Sequence, residues 1–321
     1  MAAAAIVVRG WGTETPEGRM DEISFISQGV RCAAWHLSAV GDEFARPRGR
    51  PCVVMAHAMM GTRDSGLLPY AQAFADAGLE VLLFDFRYLG ASDGQPRQLV
   101  SFSAQRADYR AAIDYARRLP GVDPNRIVLW GTSYSGGHVV AEAVSDGRVA
   151  AAIAQVPGMD GLTGVRDLAR RAGLVQLARL TLYGLRDAAG GLLGLEPHLM
   201  PVFGAPGSVA IATSPDAEPG FAAIAGPTYR NEACARILLH APLYRPIRYA
   251  ARVRYPLLIQ IAERDAVVSV DAAKRTAAKA AGWAEVRTYP VEHFEIYVGE
   301  NRSRAIADQL QFLRRHLVSA G

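Results

Sequence analysis

The sequence predicts an α/β protein with a mostly parallel central sheet, helices on both faces and one inserted helical segment. Two observations lead there. Short, continuously apolar runs alternate with longer stretches of helical periodicity between Cys52 and Val156. Runs of that kind are buried on both faces, as strands of a parallel sheet are. The alternation stops at Pro157 and resumes at Pro256, which marks an insertion.

The first two segments, Glu22–Ser27 and Val30–Ala39, are apolar or aromatic at about every second residue and are separated by Gln28-Gly29, as in an antiparallel hairpin. Cys52–Ala56 is the first apolar run, and Leu67–Ala77 carries helical periodicity. Val81–Phe84 follows, then a long helical stretch over Phe102–Leu119 with Ser101 or Ser103 as N-cap. Ile127–Trp130 is the third run, Ser135–Val144 a helix and Val149–Val156 the fourth run. After the gap come Pro256–Ile261, a helix over Ala272–Ala281, a strand over Ala284–Tyr289 and a closing helix over Asn301–Leu317. Residues 1–157 and 255–321 therefore form the core, and residues 158–254 an inserted lid. Loops that long are rarely structureless. This one has amphipathic stretches around Leu174, Leu177, Leu180 and Leu185, with glycine/proline joints at Phe203–Gly207 and Ser214–Gly220.

A chain of 321 residues, half of them hydrophobic and 21% charged, has the profile of a soluble globular protein. The net charge of +4 comes almost wholly from arginine, with Lys274 and Lys279 the only lysines. These cations are scattered along the chain, so no nucleic-acid partner is expected. Cys32, Cys52 and Cys234 are odd in number and widely spaced, which suggests neither a disulfide framework nor a zinc site. No metal or cofactor is expected. Residues 1–9 lack a charged leader and a long apolar core, and no apolar run reaches the ~18 residues of a membrane span. A cytoplasmic protein without a membrane partner is the expectation, and a homodimer is compatible with it.

The most informative segment is Gly131-Thr-Ser-Tyr-Ser-Gly-Gly137, directly after a strand and before a helix. A serine on so sharp a turn needs small neighbours two residues away on either side. The turn lifts its hydroxyl above the sheet and aims helix-start N–H groups at the same point. Ser133 fits this elbow best, because Gly131 follows the strand directly. Ser135 replaces the usual second glycine and leaves an alternative register open.

A serine nucleophile needs a histidine base oriented by a carboxylate. Of seven histidines, only His293 follows a late strand, in Tyr289-Pro-Val-Glu-His-Phe294. The preceding strand exit, Gln260–Ser269, offers Glu263 and Asp265. Asp265 is preferred because it lies further into the loop, and Glu263 is expected to pair with a neighbouring arginine. The order serine, aspartate, histidine leaves an oxyanion hole to be found. One N–H is expected from Tyr134, and the other from Met59 in His57-Ala-Met-Met-Gly61. His57 itself reads as structural.

With these motifs in hand, the chain resembles the α/β-hydrolase superfamily over nearly its whole length. The family's His-Gly-x stretch stands here as His57-Ala58-Met59. Its Asp-x-Arg-Gly-x-Gly-x-Ser loop stands as Asp85-Phe-Arg-Tyr-Leu-Gly-Ala-Ser92, with Tyr88 departing from the pattern. The Ser-Tyr-Ser-Gly elbow and the long insertion are most similar to hydrolases related to serine aminopeptidases and X-prolyl dipeptidyl-peptidases. That resemblance implies a structural role for the Asp85–Ser92 loop and no cofactor. Hydrolysis of a small carboxylic ester or thioester through an acyl-serine is expected first. Peptide or amide hydrolysis by the same residues comes second, and a non-catalytic ligand-binding protein third. An apolar acyl pocket is expected from those residues among Leu174, Val175, Leu177, Leu180, Leu182, Tyr183, Leu192 and Leu193 that do not pack on the core.

Overall fold

The computed structural model describes residues 19–318. Residues 1–9, unlike a leader in sequence, lie outside the described residues. An antiparallel hairpin of β1 (Met20–Ser27) and β2 (Val30–Leu37) opens the described chain, turning at Gln28-Gly29. β3 (Arg50–Ala56), α1 (Leu68–Asp76), β4 (Glu80–Phe84) and α2 (Phe102–Ala116) follow. Next come β5 (Val122–Thr132), α3 (Tyr134–Asp146) and β6 (Ala151–Gln155). These strands join β9 (Leu257–Ala262) and β10 (Ala284–Tyr289) in one eight-stranded sheet of order β1-β2-β4-β3-β5-β6-β9-β10. β2 meets β4 antiparallel, and every pairing from β4 to β10 is parallel. The expected α/β architecture is therefore the one found.

Alternation along the buried strands divides the core in two. Cys52, Val54 and Ala56 of β3 face one side, and Val53 and Met55 the other. On the first side lie α2, α3 and α7 (Val270–Lys279), through Tyr109, Val140 and Ala273 among others. On the second lie α1 and α8 (Gly299–Leu317), through Phe74 and Phe312. Both faces are covered, which is why these strands read as continuous apolar runs.

Two differences from expectation have physical causes. β5 starts at Val122, well before Ile127, because Val122 pairs with Arg50 ahead of a register shift. Asp123, Pro124 and Asn125, poor strand formers, hid that extension. The insertion between β6 and β9 is only partly helical. α4 (Gly161–Leu192) spans 32 residues and breaks direction at Gly173, whose φ of 82° interrupts the helix. Beyond it the chain runs irregularly through a two-residue ribbon of β7 (Leu199–Met200) and β8 (Ala233–Cys234). α5 (Ala217–Ala222) forms inside the second joint, and α6 (Ile237–His240) follows the ribbon.

The Asp85–Ser92 loop is structural, as the resemblance implied. Arg87 sends Nε and Nη2 to Asp108 Oδ1 at 2.8 and 2.6 Å, and its backbone N–H reaches the same carboxylate at 3.1 Å. The Ser92 hydroxyl donates to Asp85 O at 2.7 Å and accepts from Ala33 N at 2.8 Å, tying the loop to the hairpin. Tyr88 takes a φ of 73°, the conformation that suits the glycine usual at this position. Because Asp108 is fully buried, Asp108→Ala should strand the Arg87 charge and cost about 3–5 kcal/mol. Urea denaturation checks this, and a loss below about 1 kcal/mol would contradict a supporting role for the pair.

Candidate active site

At the end of β5 the backbone reverses through Ser133, with φ 55° and ψ −123°. A non-glycine residue there is strained by about 1–3 kcal/mol and must be held. Ser133 N donates to Gln155 O at 2.9 Å, and Ser133 O accepts from Gly136 N at 3.0 Å and Gly158 N at 2.8 Å. A Cβ at Gly131 would collide with the Ser135 carbonyl, so the small-residue requirement is local and steric. Ser135, the alternative register, sits in a different environment. It is fully buried, accepts from Thr132 N at 2.8 Å and packs its hydroxyl against Ala56 O at 2.9 Å. That hydroxyl is consumed internally, whereas Ser133 lines a cavity.

His293 lines the same cavity. Its Nδ1 lies 2.6 Å from Asp265 Oδ2, and both side chains are buried. A carboxylate can only accept, so Nδ1 carries the proton and Nε2 is left as the acceptor. Asp265 is fixed in turn, since its Oδ1 accepts from Val267 N at 2.8 Å and Val268 N at 2.9 Å. Glu263 is exposed and finds no arginine among the described residues, contrary to expectation; Arg264 pairs with Glu295 instead. The Ser133 hydroxyl makes no hydrogen bond among the described residues, so the serine–histidine contact is open in this conformation. Such contacts commonly close only when substrate is bound.

The two expected anion donors are held through the carbonyls of their own peptide groups. For Met59 N–H that carbonyl is Ala58 O, which accepts from His57 Nδ1 at 2.6 Å and Gly61 N at 3.1 Å. For Tyr134 N–H it is Ser133 O, already doubly bonded. Neither N–H donates to a group among the described residues. His57 is thus a positioning residue, with Nε2 accepting from Phe86 N at 3.3 Å. A second buried chain, not anticipated from sequence, ties the same two residues together. Gln105 Nε2 donates to Met59 O at 3.0 Å, and Gln105 Oε1 lies 3.0 Å from His138 Nε2. His138 Nδ1 is 3.1 Å from the Tyr244 hydroxyl, which sits 2.7 Å from Tyr134 O. No spacing rule links Gln105, His138 and Tyr244; only the packing of α2, α3 and the end of the insertion against one another does.

The cavity itself is small, about 30 Å³. Its insertion-derived wall is Phe203, Phe221 and Ile224, while the core supplies Val267 and Phe294 among others. Phe203 and Phe221 stack at 4.6 Å, and Phe294 meets Phe203 edge-on at 5.5 Å. The leucines expected to line it do not. Leu174, Val175, Leu182, Leu192 and Leu193 all point outward, Leu192 being 90% exposed. Leu180 is buried in a satellite cluster with Met200 and Ala235, and Leu177 and Tyr183 are half-buried. α4 does not line the cavity, and the apolar wall comes from the chain after it, with Phe221 on the short α5. The usable signal was the phenylalanines inside the glycine/proline joints, since a large aromatic in such a segment must pack against something. The core anchors this wall through Asp64, which accepts from Thr228 N and Thr228 Oγ1 at 3.1 and 2.7 Å.

Burial holds His57 and His138 neutral, lowering their pKa values to about 4 and about 3. Burial raises Asp85 to about 6 against the opposing pull of Arg63. The unfolded histidines would protonate near pH 6.5, so unfolding takes up their protons and stability falls as pH drops from 6.5 toward 4. Asp85 acts in the opposite sense between 3.8 and 6, because there the folded state keeps the proton. Replacing His138 by Gln should remove about one proton from the linkage near pH 5, lowering the slope of stability against pH by about 1.4 kcal/mol per pH unit. Denaturation at three or four pH values reads this directly, and an unchanged slope would contradict a neutral buried His138.

Residues 35–189 match the family model of the X-Pro dipeptidyl-peptidases (S15 family). The quorum-quenching protein AidA of Acinetobacter baumannii is 38% identical over 302 residues, covering 94% of this chain and 96% of that one. The thiohydrolase aneE of Aspergillus aculeatus is 40% identical over 107 residues, 33% of this chain and 34% of its own. Among solved structures, the α/β hydrolase GrgF from Penicillium superposes with a TM-score of 0.77 at 23% identity, covering 93% of this chain and 99% of that chain. With the elbow, the parallel sheet and these relationships together, the chain belongs to the α/β-hydrolase superfamily, in its S15-like group of serine hydrolases.

Proposed function

We propose that the protein hydrolyses carboxylic esters or thioesters of short acyl groups through an acyl-Ser133 intermediate. One observation carries this reading: Ser133 and His293 share a cavity wall, and Asp265 holds the far nitrogen of His293. In the first step His293 Nε2 takes the Ser133 proton as the hydroxyl oxygen attacks the carbonyl carbon. The Met59 and Tyr134 N–H groups receive the developing oxyanion. Preorganised donors of this kind are commonly the largest single catalytic contribution. His293 then protonates the leaving alcohol or thiol. Water enters, gives its proton to the same histidine and releases the acid.

The names of the relatives, a quorum-quenching protein and a thiohydrolase, support hydrolysis of esters or thioesters. The family model favours a peptidase as the second reading. Against it, no Asp or Glu lines the cavity among the described residues, so an amino-terminal ammonium would meet no counter-charge there. We take residues 158–254 as a cap over the triad, since Phe203, Phe221 and Ile224 form one side of the cavity. No helix among the described residues is long and apolar enough to cross a membrane. Cys32, Cys52 and Cys234 are buried free thiols, which supports a cytoplasmic setting.

Ser133→Ala should lower turnover by on the order of a millionfold with the fold intact. Asp265→Asn should cost about ten-thousandfold, and Glu263→Gln far less. Labelling by a fluorophosphonate, followed by peptide mapping, should mark Ser133 alone. A label on Ser135 would sink the assignment.

A cavity of about 30 Å³ holds only two or three waters, so short acyl chains fill it. On p-nitrophenyl esters kcat/KM should rise from acetyl to about butyryl and then fall. Each methylene accommodated is worth about 0.8 kcal/mol, or roughly fourfold. Phe221→Ala should move the maximum to longer chains. A flat series, or aminoacyl anilides preferred to every ester, would favour the peptidase reading.

A further inference from the structure

Beside the triad lies a second, much larger concavity that the chemistry above does not use. It is an open groove of about 660 Å³ between the first half of α4, the turn at 245–248 and α7. Six cationic side chains line it: Arg166, Arg170, Arg245, Arg248, Arg275 and Lys279. These come from three separate stretches of chain, which is why they look scattered in sequence; folding gathers them.

Three carboxylates also line the groove, and each is bound to one of those arginines. Asp160 takes Arg245 Nε at 2.7 Å and Nη2 at 3.2 Å. Asp167 lies 3.4 Å from Arg170, and Asp271 pairs with Arg275, which also donates to Thr163 Oγ1 at 3.1 Å. These pairs orient three arginines without spending the rest. Arg166, Arg248 and Lys279 meet no carboxylate among the described residues. The groove therefore presents three unneutralised cations within a concave surface, where charge of one sign is focused onto an incoming ligand.

Its position is tied to the triad by two short segments. Val267 lines the catalytic cavity and Ser269 the groove, so the loop that carries Asp265 is the partition between them. On the other side, Gly158 holds the Ser133 carbonyl, and Asp160, two residues on, lines the groove.

We propose that this groove binds the phosphates of the acyl donor, and that the preferred substrates are thioesters of a phosphorylated carrier of the coenzyme A type. The inference rests on the acyl-Ser133 reading and adds the leaving group to it. Attack by Ser133 Oγ forms the new ester bond as the C–S bond breaks, and His293 returns the serine proton to the departing thiolate. The phosphates remain outside the apolar cavity, which takes only the short acyl chain.

The test compares acetyl-coenzyme A with the acetyl thioester of N-acetylcysteamine, which carries the same reacting bond and no phosphate. For the unmodified protein, kcat/KM should favour the coenzyme ester by on the order of tenfold at low salt, and the advantage should shrink as ionic strength rises. In the triple variant Arg166→Ala, Arg248→Ala, Lys279→Ala the ratio of the two values should fall to about one. Calorimetry with free coenzyme A on the full chain reads the groove without turnover, and the triple variant should lose that binding. Equal kcat/KM for the two thioesters, or an advantage that survives the triple variant, overturns the proposal while leaving the hydrolase reading intact. No turnover of either thioester while p-nitrophenyl esters are hydrolysed overturns this inference alone; no turnover of any ester or thioester overturns the hydrolase reading, and this inference with it.

Discussion

Everything at this site depends on one backbone reversal, the passage of the chain through Ser133 at φ 55°. A residue with a side chain is unfavourable there, and the fold holds it from three directions. Gln155 O on the neighbouring strand takes its N–H, while Gly136 and Gly158 both donate to its carbonyl. The last of these comes from the start of the insertion, so the segment that walls the cavity also holds the Ser133 turn. Strain of a few kcal/mol is tolerable because a strand, a helix start and the insertion each remove one way of relaxing it.

Around this turn lies a set of buried, hydrogen-bonded polar groups, of which Gln105, His138 and Tyr244 do not line the cavity. His57 holds the Ala58–Met59 peptide group through Ala58 O. Gln105, His138 and Tyr244 connect Met59 O to Tyr134 O through the core. Buried groups of this sort are stabilising only when their hydrogen bonds are satisfied, and that requirement makes the geometry narrow. It also accounts for why both histidines are kept neutral: a proton on either would add a charge where no carboxylate is placed to pair with it closely. The nearest to His57 is Asp85, whose Oδ1 stands 3.6 Å away and already accepts from Arg63 N at 2.7 Å.

The apolar and charged parts of the site are segregated. Phe203 and Phe221 of the insertion line the same cavity as Ser133, and the cationic groove lies across the Asp265 loop. A single short loop, the one that carries Asp265, thus separates the apolar cavity from the cationic groove.

The parallel sheet, the tight turn at Ser133 and the pairing of Asp265 with His293 were legible in the amino-acid order alone. Those features are local. Apolar runs of strand length announce the sheet, and a serine between small residues at a strand-to-helix turn fits the demands of an exposed nucleophile and little else. Loop position by itself favoured Asp265 over Glu263, and in the structure Asp265 is the carboxylate that stands 2.6 Å from His293. Folding settled whatever depends on residues far apart in the chain. It kept α4 out of the cavity wall and placed Phe203, Phe221 and Ile224 there, because amphipathicity says that a helix face is apolar and not what it packs against. The polar chain through Gln105, His138 and Tyr244 was equally invisible, since its members carry no common motif. So was the cationic groove, because charges from three stretches of chain meet only when α4, the 245–248 turn and α7 are brought side by side.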